Sequence, residues 1–112
     1  MKSNGNKAAL NKKLNSIGKR IFVQYFHEFG DSVISQQDIV VLLQNEKSFT
    51  PQASATRTSN ARRIFRDGLE DQALSIIADS NRIGRKVADE ARALLSSRRL
   101  LSANRSAKES DK

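Results

Sequence analysis

Gln52, Thr56, Ser59, Arg62, Arg63 and Arg66 are hydrogen-bond donors that one face of a helix would carry together, at about 100° per residue. The Gln amide can bridge adenine, the Arg guanidinium can bridge guanine or hold phosphate, and the hydroxyls can reach either. No acid lies on this face, and Ala55 and Ser59 are small enough to let a backbone approach a groove floor. Catalytic chemistry has little to work with. The chain has no cysteine and a single histidine, His27, set in the aromatic stretch YFHEF, where a structural role is expected. Glu28 and Asp31 form no justified acid–base pair. Without a glycine-rich phosphate loop, a nucleophile motif or metal-ligand spacing, the expectation is a non-enzyme with no cofactor.

The donor face needs a helix to carry it. Thr50 is a good N-cap, Pro51 suits the first helical position, and Gly68 ends the segment, so the pattern predicts a helix over 51–67. Its inward stripe is Ala53, Ser54, Ala61, Ile64 and Phe65. Arg57 falls on the same inward line, where pairing with Asp38, Glu70 or Asp71 is expected, and Asn60 is borderline. Upstream, Leu10, Leu14, Ile17 and Ile21, continued by Tyr25 and flanked by Phe22, Phe26 and Phe29, predict one long helix at the centre of the core. Gly30 is expected to stop it in a left-handed conformation. Ser35 and Asp38 predict a capped helix start, with Ile39, Val40, Leu42 and Leu43 following. A short helix over 69–79 and a last one over 82–97, with Ile83, Val87, Ala91, Leu94 and Leu95 on one stripe, complete an all-α bundle of about five helices. Residues 1–8 are expected to be a flexible basic arm and 100–112 a disordered tail, which leaves a helical domain over 9–99.

A helix of about ten residues, a connection of about four and a helix with a polar outer face resemble a helix-turn-helix DNA-binding domain over 35–67. The segment NEKSF lacks the glycine common in that turn. The resemblance implies that the N-terminal half of helix 51–67, Gln52 to Ser59, contacts bases in the major groove, with its later arginines on phosphates.

Net charge is +8 at a pI near 10.3, which favours a polyanionic partner. The charge lies in blocks: +6 over residues 1–20, −3 over 21–50, +3 over 51–67, −3 over 68–81, +4 over 82–99 and +1 over 100–112. Lys12 and Lys13, with Lys7, Lys19 and Arg20, could hold phosphates as an N-terminal arm or form one solvated helix face. The expected function is therefore non-enzymatic binding of double-stranded DNA, in regulation of transcription or organisation of DNA. The alternatives are an RNA-binding helical domain and a protein-interaction module acting through the C-terminal helix, with a homodimer through 83–101 as one form. The longest apolar run, IVVLL, is too short to span a bilayer, and the basic N-terminus lacks a secretory apolar stretch, so the expected location is cytoplasmic and no membrane is expected as partner.

Overall fold

The computed structural model of the chain describes residues 2–80 and 83–110, with side chains over 7–80 and 83–100. These residues form seven helices and no strand: α1 (Lys2–Ile17), α2 (Lys19–Gln24), α3 (Phe26–Gly30), α4 (Gln36–Lys47), α5 (Pro51–Arg66), α6 (Glu70–Ala78) and α7 (Arg85–Ser110). The all-α class is as expected; the count of about five is not.

The difference comes from one glycine. The apolar period stays in phase from Leu10 to Phe29, which predicts a single rod, but Gly18 takes φ 93, a left-handed conformation that glycine adopts without Cβ strain. The helix breaks there, and again at Tyr25 (φ −108, ψ 25), which separates α2 from α3. The breaks let Leu10, Leu14 and Ile17 of α1 and Phe22, Phe26 and Phe29 downstream enter one core. Gly30, expected as the left-handed stop, is instead helical. Its missing side chain serves Phe65: a Cβ on Gly30 would come within 2.7 Å of that ring. Of the segments expected as a loose arm and a disordered tail, residues 2–8 lie within α1 and residues 100–110 within α7, while positions 1, 111 and 112 lie outside the described residues. Neither carries an apolar period, so the sequence pattern offers no sign of them; once a helix is nucleated, each added residue contributes a backbone hydrogen bond.

α5 packs against α1, α3 and α4, and α6 and α7 form an antiparallel pair completed by contacts with α1 and α2. Ser35 and Thr50 cap α4 and α5 as expected, but among the described residues the Asp38 carboxylate returns no hydrogen bond to Ser35. Ser35 Oγ accepts from the Asp38 amide at 3.1 Å, and Thr50 Oγ1 accepts from the Ala53 amide at 3.1 Å. Two of the three carboxylates expected to pair with Arg57 are engaged elsewhere: Arg98 of α7 donates to both Asp71 and Glu70 at the start of α6, and its guanidinium lies over the Phe26 ring. Arg92 donates to the Ala78 carbonyl at 2.8 Å and so satisfies an orphan acceptor at the end of α6. The stripe of α7 that could have joined a second copy, with Val87, Ala91 and Leu95, is buried in the chain's own core.

Tyr25, 3% exposed, donates to Glu46 and ties the α2–α3 junction to α4. Burial, then the hydrogen bond to the Glu46 carboxylate and its negative charge, push the phenol up from its ordinary 10 to about 12. The folded state therefore holds the neutral phenol more firmly than the unfolded chain does. Its contribution to stability is complete below pH 10 and is lost as pH rises from 10 to about 12, a loss of roughly 2–3 kcal/mol. Because the chain has one tyrosine, absorbance of the phenolate follows the transition directly. Unfolding curves between these two pH values should fall more steeply for the wild type than for Tyr25→Phe; parallel curves would dissociate the phenol from alkaline instability.

Candidate nucleic-acid interface

The site is one face of α5. Its start is built by Thr50 and Pro51, which fix the first turn, and its body is anchored from below by Ala61 and Ile64, both fully buried. Ser54 and Thr58, also buried, complete a seam of small side chains on the inward face of α5. With that seam inside, the opposite face must point outward.

Gln52, Thr56, Ser59, Arg63 and Arg66 are all exposed. They follow one another at intervals of four, three, four and three residues, which keeps them in a single row. At about 1.5 Å per residue the row is roughly 21 Å long. No carboxylate interrupts it, and neither Arg63 nor Arg66 has an ion-pair partner among the described residues. The first turn of α5 also contains no acid, so the partial positive charge of the helix start is not neutralised locally.

The four arginines of α5 divide into two pairs. Arg63 and Arg66 belong to the open row. Arg62, expected beside them, lies at its edge, and its guanidinium reaches back to the connection between α3 and α4, donating to the Ile34 carbonyl and, at 3.1 Å, to the Asp31 carbonyl. It is half-buried and engaged with the protein itself. Arg57 points inward as expected, but not to Asp38, Glu70 or Asp71. It donates to the Ile17 carbonyl at the end of α1, and its guanidinium sits 4.1 Å from the centre of the Phe49 ring. That position satisfies a terminal carbonyl of α1 and places a cation where the helix dipole favours one. The absence of a side chain at Gly18 makes room for it, since a Cβ there would be 3.0 Å from Arg57 Nη1.

The connection into α5 contains a feature that residue types did not announce. The turn lacks glycine, yet Ser48 at the end of α4 adopts the left-handed conformation, φ 59 and ψ 27. Its amide donates to the Gln44 carbonyl at 3.1 Å, closing the helix. The only available sign was a short polar residue directly after Lys47, a type tolerated in such positions less readily than Gly or Asn.

Lys12 is exposed and Lys13 half-buried on α1, and no described interaction links either to the α5 row. His27 is exposed, with its ring edge-on to Phe26. Among the described residues no group of His, Cys, Asp and Glu is arranged to hold a metal ion, and no helix is long and apolar enough to cross a membrane. Compared with protein-family models, curated proteins and solved structures, the chain matches none of them.

Proposed function

We propose that the protein binds double-stranded DNA by laying the exposed row of α5 in the major groove, with α4, the turn at residues 48–50 and α5 acting as a helix-turn-helix-like unit. The observation that carries this reading is the acid-free row Gln52, Thr56, Ser59, Arg63 and Arg66, exposed along its whole length and holding two arginines with no protein carboxylate as partner among the described residues. A helix is about 10–12 Å across with its side chains, which suits a major groove about 12 Å wide. Gln52, Thr56 and Ser59 occupy the half of the helix nearer its start and would meet base edges; Arg63 and Arg66 would meet phosphates. Lys12 and Lys13 of α1 would add backbone contacts, and the role would be regulation or organisation of DNA.

RNA is the weaker partner on this surface. Readers of single-stranded RNA stack bases on exposed aromatic rings, and here Phe22, Phe26 and Phe29 are buried. The deep, narrow major groove of duplex RNA does not admit a helix.

Titration of a labelled random duplex at two salt concentrations tests the reading. Binding should weaken steeply as salt rises, and duplex RNA should compete poorly. Against a selected preferred site, Gln52→Ala should cost about 1–3 kcal/mol while leaving affinity for random duplex nearly unchanged. Absence of salt-dependent binding to either duplex would end the proposal.

A further inference from the structure

We propose a second anion site: a cleft between α2, the end of α4 and the start of α7 that binds a phosphate group. The cleft has a volume of about 570 Å³, and its polar side chains are Arg20, Gln24, Lys47, Arg85, Lys86 and Glu90, with Gly84 also in its lining. The four cations come from three helices far apart in sequence, so their convergence is a product of the fold. Arg20, Arg85 and Lys86 are exposed and Lys47 is half-buried, which leaves all four head groups within reach of a solute.

Four positive side chains against the single carboxylate of Glu90 is an unbalanced lining. Among the described residues none of the four is in an ion pair, whereas Arg92 and Arg98, elsewhere on α7, both have carboxylate partners. Like charges gathered around one concavity repel, and the low-dielectric walls of a cleft strengthen the effect. A bound anion reverses the sign of that contribution. Phosphate fits the donors best: a planar guanidinium can take two of its oxygens side by side, and an ammonium supplies a compact charge. Gly84, at φ 96, has open space where a Cβ would stand, so its backbone is not screened from a ligand. The volume exceeds what a lone phosphate needs and suits a larger phosphorylated molecule. None of these residues belongs to the α5 row, so the proposal does not depend on the reading of that face.

The phosphate could belong to a free phosphorylated molecule or to a nucleic-acid backbone. Inorganic pyrophosphate and a short random duplex, titrated separately, distinguish these sources. Three full-length proteins are compared: wild type, Arg20→Gln/Lys47→Gln, and a control, Arg99→Glu, that changes the net charge by the same amount at an exposed position outside the cleft. Melting curves establish that each is folded. The cleft variant should bind one of the two probes at least roughly tenfold more weakly than wild type, with the control within about twofold. Loss confined to pyrophosphate assigns a free ligand, and loss confined to duplex assigns a backbone contact. In wild type, amide shifts on titration with the affected probe should include Gly84 and Val87. Equal weakening in both variants, weakening in neither, or shifts that bypass Gly84 and Val87 would overturn the proposal.

Discussion

Phe22→Ala should lower the free energy of unfolding by about 3–5 kcal/mol, the cost of removing a fully buried aromatic ring and leaving its cavity. Phe22 has no exposed surface. Its ring meets Phe26 edge-on at 5.6 Å between centroids and stacks with Phe29 at 6.3 Å and Phe65 at 5.8 Å. The ring thus joins α2, α3 and α5, and no single rotamer change by one neighbour can fill the space it leaves. For a domain of this size each kcal/mol shifts the melting temperature by roughly 4 °C, so a fall on the order of 10–20 °C is expected. Since small domains have only about 5–15 kcal/mol in all, the variant should be close to unfolding at moderate temperature. Denaturant titration followed by far-UV circular dichroism measures the effect. A loss below about 1 kcal/mol would mean that these rings do not form the centre of the core.

The second large effect concerns duplex binding. Replacing Arg63 and Arg66 together with alanine should lower the slope of log affinity against log salt by roughly 1.8, about 0.9 for each phosphate that is no longer neutralised. At low salt the affinity should fall about a hundredfold, on the scale of two charge-assisted hydrogen bonds. Because both side chains are exposed and unpaired among the described residues, the thermal stability of the free protein should barely change. Arg62→Ala is the instructive contrast. Its guanidinium holds the carbonyls of Asp31 and Ile34, so its removal should reduce stability and leave the salt slope near the wild-type value. If the double variant kept the full slope, α5 would not be the element that meets phosphate.

How much of this could be read from the chain alone depended on the kind of interaction. The ends of α5 were legible because Thr50, Pro51 and Gly68 act through local geometry, which leaves a signature in residue type. The outward row was legible because it follows from helical period once Ala61 and Ile64 are taken as buried. The breaks in the first third were hidden because Leu10 through Phe29 keep their phase across Gly18, and one glycine within an apolar period is compatible with a continuous helix. Gly30 carried the opposite ambiguity: its value lies in the space it yields to Phe65, a residue 35 positions away, and not in a special backbone angle. The partners of Arg57 and Arg62 were beyond sequence reasoning for a simpler reason. Both bind main-chain carbonyls, which every residue possesses, so no residue type marks the acceptor. The cleft at the start of α7 was hidden too, since the charge blocks of the sequence do not reveal that Arg20, Lys47, Arg85 and Lys86 converge.

The division of labour among the four arginines bears on how this chain can change over evolutionary time. Insertion or deletion of one residue within α5 turns everything beyond it by about 100°. A lesion between positions 57 and 62 would leave the first inward anchor in place while swinging the second anchor and both solvent-facing guanidinium groups out of register. Point substitutions along the outer row cost the fold little, so residue identity can drift there, but the length of this segment is constrained. Homologues should therefore vary in the identity of positions 52, 56 and 59 and be nearly invariant in the number of residues separating the two arginines that bind main-chain carbonyls, Arg57 and Arg62.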